Sequence, residues 1–162
     1  MYCLLKPYFF SQSRSGGANT ALGRQTLYNN TEGENNVAVG YNALTANTTG
    51  NKNTALGGST LDANTTGIEN TAVGHNALGA NTTANQNTAV GRNALALNTT
   101  GTQNVALGKD ALTVNTTADY NTAIGTVCLR SNTTGTRNTG LGRGVLEFNS
   151  TANDNTAVGY GA

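Results

Sequence analysis

Few side chains in this sequence could carry out catalysis. His75 is the only histidine, and Cys3 and Cys128 are the only cysteines, far apart and without the spacing of a metal or redox pair. Acid–base catalysis and metal binding both need several such groups brought together. We therefore predict no catalytic, cofactor-binding or metal site, and a protein that is not an enzyme. Cys128 stands where most repeats have alanine, which favours a small residue of the core or of an interface.

Asparagine is the other chemically interesting residue, because Asn-x-Thr/Ser tripeptides recur along the chain. In a secretory pathway that attaches N-linked glycans, these would be acceptor sites. A second interpretation is open: an asparagine held inside a turn could not be modified, and its amide would instead bond to its neighbours along a stack. An eighth, displaced tripeptide begins at Asn29. The seven at the regular position of the repeat begin at Asn47, Asn64, Asn81, Asn98, Asn115, Asn132 and Asn149.

Paired threonines follow these asparagines, as in Thr48-Thr49 and Thr65-Thr66. Regular threonine ladders on β-solenoids resemble the ice-binding faces of antifreeze proteins, so ice binding is a minor hypothesis. Those faces use alternate threonines on a flat strand, whereas the threonines here are adjacent and next to glycine, which favours a turn.

All these residues belong to one repeat of seventeen residues. The copy from Asn70 to Gln86 defines positions one to seventeen, and the glycine of position five recurs without insertion or deletion from Gly23 to Gly159. Such spacing predicts a solenoid. Seventeen residues are too few for paired helices, while Thr-Ala-Val and Ala-Leu-x are β-prone pieces bounded by turns. We predict an all-β parallel β-solenoid, or β-roll, forming a rod of about 40 Å at ~4.8 Å per coil.

The apolar residues of positions four and nine, such as Val73 and Leu78, are the predicted core. Side chains alternate between the faces of a strand, so Ala72 would then point outward. A row of exposed alanines suits close packing against a second rod, most simply in a trimer. Alternatively, alanine fills a tight interior corner and the monomer is self-sufficient. The predicted lateral surface consists of Ala38, Ala55, Ala72, Ala89, Ala106 and Ala123.

Composition and charge narrow the range of partners. Hydrophobic residues make up 36% and aromatic residues 6% of the 162 residues, which suits a narrow apolar strip along an axis. The net charge is +1 and the charged residues are scattered through the sequence, so no basic stripe and no nucleic-acid partner is predicted. The apolar segment from Met1 to Phe10 is too short to insert across a membrane and lacks the features of a signal peptide.

Two regions are predicted, a non-repetitive lead over residues 1–18 and the solenoid over residues 19–162. Phe9 to Ala18 matches the second half of a degenerate coil, and Asn155 to Ala162 matches the first half. Open solenoid ends expose strand edges, which invites one protomer to complete the coil of the next. The predicted joint consists of Tyr8, Phe9, Phe10, Val158, Tyr160 and Ala162.

The block Asn-Thr-Ala-Val-Gly-x-x-Ala-Leu resembles the head repeats of trimeric autotransporter adhesins, the YadA-like heads, and similar blocks in phage and viral fibre proteins. The resemblance covers about Asn19 to Ala162. It implies a left-handed parallel β-roll, three chains side by side, and an extracellular role in adhesion or as a fibre. The unit here is longer than the usual one of that family.

We therefore predict a structural extracellular fibre or filament subunit, on a cell surface or virion, whose main partner is itself. The alternative is a trimeric adhesin head that binds host matrix or glycan. In either case the outward face would carry the variable residues Arg24, Tyr41, His75, Arg92, Lys109, Arg143 and Tyr160.

Overall fold

A computed structural model describes residues 16–162, which form a parallel β-solenoid of seventeen-residue coils. Each coil contributes one strand of three residues, taken from positions two to four of the repeat. The nine strands form one parallel sheet in sequence order, as the repeat predicts. They are β1 (Thr20–Leu22), β2 (Val37–Val39), β3 (Thr54–Leu56), β4 (Thr71–Val73), β5 (Thr88–Val90), β6 (Val105–Leu107), β7 (Thr122–Ile124), β8 (Thr139–Leu141) and β9 (Thr156–Val158).

The register between coils is constant, because each strand residue pairs with its equivalent one repeat later. Thr71 lies beside Thr88 and Ala72 beside Ala89, and the same offset holds from β1 to β9. The Thr71 amide donates to the carbonyl of Asn87 at 2.8 Å, so the sheet's hydrogen bonds run along the rod. Eight steps of ~4.8 Å place β1 and β9 about 38 Å apart.

The second β-prone piece, Ala-Leu-x, is not a strand. Positions six to eleven form turns in the complete coils, and the leucine of position nine has a left-handed backbone, with φ of +52° at Leu78. That conformation is unfavourable for leucine by roughly 1–2 kcal/mol. Full burial of the side chain, together with a bond from the Leu78 amide to the Ala94 carbonyl at 3.0 Å, offsets this cost.

The core lies between the alanines of positions three and eight and the leucine of position nine. Ala72, Ala77 and Leu78 are all fully buried, whereas Val73 is only half-buried and Leu107 is 46% exposed. The predicted alternation along the strand is correct, but its phase is reversed. The predicted lateral alanine surface is therefore wrong, and the alternative of an interior alanine is confirmed. The correction applies to Ala38, Ala55, Ala72, Ala89, Ala106 and Ala123, all of which have no exposed surface.

The reversed phase has a steric cause. Positions three and eight face each other across a narrow interior, as shown at Gly140, where a Cβ atom would lie only 2.5 Å from the sulfur of Cys128. At position three, alanine fills such a gap, whereas valine or leucine would be too large. Position eight also holds threonine, cysteine and valine. The larger apolar residues of position four are therefore left on the outer face of the sheet.

Candidate interaction surfaces along the rod

Two ladders of buried asparagines run the length of the solenoid. At position twelve, Asn81 Nδ2 donates to Asn64 Oδ1 at 2.8 Å and to the Ala84 carbonyl at 3.2 Å. At position one, the backbone amide of Asn87 donates to Asn70 Oδ1 at 3.0 Å. Each interior side chain therefore links its coil to its neighbour, which satisfies polar groups that have no access to water.

The same bonds decide what the Asn-x-Thr tripeptides can do in the folded protein. The first six predicted acceptor asparagines have no exposed surface, and the seventh, Asn149, is half-buried. Asn149 Nδ2 still donates to Asn132 Oδ1 at 3.3 Å. An N-linked glycan would have to replace a hydrogen on these nitrogens, so the folded coil has no room for one. The interpretation as an amide stack holds for Asn47, Asn64, Asn81, Asn98, Asn115, Asn132 and Asn149.

The paired threonines lie in bends between strands. The first of each pair is structural: Thr48 Oγ1 donates to the Thr65 carbonyl at 3.0 Å, and Thr65 bonds to Thr82 in the same way. The second of each pair, such as Thr49, is exposed. An ice-binding surface at these positions would therefore have one free row of hydroxyls instead of two.

One long apolar surface runs along the outer face of the sheet. We call it the apolar ridge. Its exposed fractions reach 54% at Leu22, 46% at Leu107 and 66% at Val158. Contiguous exposed apolar surface of this kind is typical of sites that contact another molecule. The ridge consists of Leu22, Val39, Leu56, Val73, Val90, Leu107, Ile124, Leu141 and Val158.

A second line of side chains, which we call the basic row, lies beside this ridge at position six. Its charged and aromatic members are exposed, as predicted for the outward face. The seventeen-residue period brings together cations that look scattered in the sequence. The prediction that the chain has no basic stripe is therefore wrong for this side of the rod. The row consists of Arg24, Tyr41, Gly58, His75, Arg92, Lys109, Thr126, Arg143 and Tyr160.

The basic row also holds the cations that have no acidic partner. Among residues 16–162, four ion pairs form, Lys52–Glu69, Lys109–Asp110, Arg130–Glu147 and Arg137–Asp154. Of the arginines in this described part of the chain, those left without a carboxylate partner are Arg24, Arg92 and Arg143, all in the row. Arg24 instead lies over the ring of Tyr41, 5.7 Å from its centroid. Arg143 lies over Tyr160 and donates to its hydroxyl at 2.7 Å.

The predicted end-to-end joint is only partly within the described residues. Val158, Tyr160 and Ala162 are exposed at the end of the rod that β9 forms. Among the strands of residues 16–162, β9 pairs with β8 alone. Tyr8, Phe9 and Phe10 lie outside the described residues. At the other end, a Cβ atom on Gly16 would lie within 2.1 Å of the Gly33 carbonyl oxygen, so Gly16 stacks on the turn glycine of the next coil.

Cys128 is fully buried, and burial raises the pKa of its thiol, which confirms the small core residue predicted there. Within residues 16–162, no three side chains of His, Cys, Asp or Glu come together as a metal ligand set would. That same part of the chain contains no helix long and apolar enough to span a bilayer.

The fold defines the chain as a β-solenoid with tandem coils. In comparisons with known proteins, no family model, no curated protein and no solved structure matches the chain.

Proposed function

We propose that this protein is the subunit of a structural extracellular fibre that assembles through its solenoid ends. The observation that supports this most directly is the unchanging contact between coils. Each coil offers the next the same backbone groups in the same register from β1 to β9. The outer edge of β9 therefore carries the groups that every interior strand uses to bind its neighbour, and an unpaired edge of this kind favours addition of another strand.

In this proposal, the half coil predicted for Phe9 to Ala18 of one protomer completes the half coil that begins at Asn155 of another. The left-handed winding implied by the resemblance to adhesin heads belongs to the same proposal. Side-by-side contact would use the apolar ridge, since the alanines are buried. Burying leucine and valine side chains that are now about half exposed would stabilise that contact by roughly 25 cal/mol per Å² of apolar surface.

The joint can be tested with a single backbone donor. The first backbone amide of each strand from β1 to β8 bonds forward to the next coil, as Thr139 does to Asn155 at 2.7 Å. No coil follows β9 among the described residues, so Thr156→Pro removes a donor needed only at the joint. Thr156→Ala keeps that donor and serves as the control.

We expect wild type and Thr156→Ala to form continuous rods in cryo-electron micrographs at high protein concentration, and Thr156→Pro to remain as short particles. Deletion of residues 1–17 should have the same effect as the proline. Short particles from the wild-type protein would reject the fibre and favour a capped head. Equal rods from Thr156→Pro would show that the joint lies elsewhere.

The lateral contact needs its own test. Leu56→Glu combined with Leu107→Glu places two charges on the apolar ridge, and light scattering after size-exclusion chromatography would report the mass of the particles. We expect the wild type to form side-by-side oligomers and this double variant to remain as single rods. Matched changes on the other side of the coil, Thr49→Glu with Thr100→Glu, should leave the mass unchanged. Unaltered oligomers of the ridge variant would reject this contact.

A further inference from the structure

We infer that the basic row binds an extended acidic polysaccharide that lies parallel to the rod axis. The inference rests on position six alone and does not depend on fibre assembly. Its first support is the absence of internal neutralisation: Arg24, Arg92 and Arg143 make no ion pair within residues 16–162. Lys109 has only a long contact of 3.6 Å with Asp110. Exposed cations in one line create a positive potential that attracts a linear anion.

The spacing of the cations favours a sparsely charged polymer. Arg24 and Arg92 lie 68 residues apart, or four coils, Lys109 lies one coil further, and Arg143 two coils beyond it. At ~4.8 Å per coil these intervals are about 19, 5 and 10 Å. Nucleic acid carries a charge every ~3.4 Å along each strand, far more densely than the row. A polysaccharide with an acid group on only some of its sugars matches the row better.

Aromatic rings within the row add surfaces for sugar. Tyr41 is 50% exposed, and Arg24 covers one face of its ring. Towards the next coils the row has Gly58 and then His75. A Cβ atom on Gly58 would meet no atom closer than His75 Cδ2, at 3.7 Å, so the glycine leaves a notch between the two rings. The apolar C–H face of a sugar can pack on an aromatic ring, while its hydroxyls stay in water.

A second copy of this chain is a less suitable partner for the row. The carboxylates that could contact the basic row of another copy lie on the part of the coil just before each strand. Of these, Glu69 is paired with Lys52 and Asp154 with Arg137. Asp119 already accepts from the Thr102 amide at 2.6 Å. Glu69, Asp154 and Asp119 would have to give up partners to bind the row. Glu32 and Glu34 make no ion pair within residues 16–162, but both lie between β1 and β2, so they could meet the row at one coil only. A free polysaccharide carboxylate would exchange only water and counterions.

The test titrates the full chain with hyaluronan oligosaccharides, which have one carboxylate in every second sugar, and follows binding by calorimetry at several salt concentrations. The variant Arg24→Gln/Arg92→Gln removes two cations of the row that have no acidic partner. The control Lys52→Gln/Arg137→Gln removes the same charge from the other side of the sheet. Circular dichroism first confirms that every protein is fully folded at the temperature of the titration.

We expect salt-sensitive binding by the wild type, at least tenfold weaker binding by the row variant, and less than twofold loss in the control. Arg24→Lys/Arg92→Lys should retain binding. No binding by the wild type, equal loss in both glutamine variants, or equal binding of methyl-esterified hyaluronan would overturn the inference. Tighter binding of oligo(dT) than of hyaluronan would also overturn it and indicate a nucleic-acid partner. Fibre formation by the same variants, followed by electron microscopy, should be unaffected in either case.

Discussion

At the scale of single residues, the buried asparagine side chains tolerate substitution least, because each both donates and accepts hydrogen bonds. Asn81 donates to Asn64 Oδ1 and to the Ala84 carbonyl, and its own Oδ1 accepts from Asn98 Nδ2 at 3.3 Å. No other side chain of similar size donates and accepts in this way. Threonine is shorter, and aspartate lacks the donor.

Asn81→Asp should therefore destabilise the solenoid by at least about 3 kcal/mol, because it buries a charge and faces two acceptors with no donor. The measurement is urea unfolding followed by circular dichroism. Asn85→Asp is the matched control, since Asn85 Oδ1 only accepts from the Ile68 amide, at 2.8 Å. Equal stability of both variants would show that the buried ladder is not essential.

A second residue-scale prediction concerns Gly140 and Cys128, which depart from the repeat consensus together. A Cβ atom on Gly140 would lie 2.5 Å from the Cys128 sulfur. Gly140→Ala alone should cost about 1–3 kcal/mol by overpacking, and Cys128→Ala alone about 1 kcal/mol by leaving a void. The double variant restores the consensus and should regain most of both losses. Additive losses in the double-mutant cycle would contradict this coupling.

Asp62 provides a prediction about pH. Burial raises the pKa of its carboxyl, and hydrogen bonds from the backbone amides of Asp62 and Ala63 oppose the shift only in part. Because the folded pKa exceeds the unfolded value, the neutral form favours folding, and this stability is lost as the pH rises through the folded pKa. Asp62→Asn should match wild type in acid and be slightly more stable at neutral pH, by no more than about 0.5 kcal/mol.

Thermal melts from acid to neutral pH would measure that difference, with Asp154→Asn as the opposite case. Arg137 bonds to the Asp154 carboxylate and lowers its pKa, so this carboxylate favours folding above its unfolded pKa. Removing the charge there should lower the melting temperature at neutral pH. If both variants changed the melting temperature in the same direction at neutral pH, the opposite pKa shifts assigned to Asp62 and Asp154 would be contradicted.

At the scale of the coil, the glycine of position five fixes the corner after each strand. Gly91 has a φ of +131°, and a Cβ atom there would lie 2.6 Å from the Gly108 carbonyl oxygen. Gly91→Ala should cost more than about 2 kcal/mol, since it combines backbone strain with a clash against the next coil. Calorimetric melting compares it with Gly17→Ala, where a Cβ atom would meet nothing within 4 Å. Comparable losses in both would contradict the corner's role.

The coil also shows which parts of the fold local sequence can predict. Thr-Ala-Val is β-prone, and the structure makes it a strand in every coil, as in β4. Ala-Leu-x has similar local preferences but forms a turn, because burial and contacts with the next coil hold Leu78 at positive φ. The phase of the core could not be read from hydrophobicity either. It depends on the width of the interior, which at position three admits only alanine or glycine.

At the scale of the whole rod, the repeat makes length adjustable. Deletion of residues 71–87 removes one complete coil and joins Asn70 to Thr88, which keeps every position in register. We expect a folded rod shorter by ~4.8 Å, with a moderately lower melting temperature, because stability is close to a sum over coils and their contacts. Small-angle scattering and calorimetry would measure both.

The control deletes residues 71–86, one residue fewer. The coils on either side of the junction are then offset by one position, so buried and exposed residues exchange places across it. This variant should lose much more stability than the longer deletion. Equal behaviour would mean that register between coils is not what holds the rod together.

For the rod as a whole, the constant period predicted the all-β solenoid, the coil length and the asparagine stacks. Net charge, in contrast, gave no hint of the basic row. A value of +1 averages over all sides of the coil, whereas the row contains Arg24, Arg92 and Arg143 without acidic partners. Summing charge by position in the repeat would have found it from the sequence.

The direction of the sheet's hydrogen bonds has a mechanical consequence. Because bonds such as Thr71 to Asn87 run along the axis, a pull on the two ends of the chain loads one coil contact at a time instead of shearing the whole sheet. Each coil that opens releases seventeen residues, about 58 Å of extended chain, in exchange for ~4.8 Å of rod. Under tension the rod would lengthen in uniform steps and dissipate mechanical work one coil at a time.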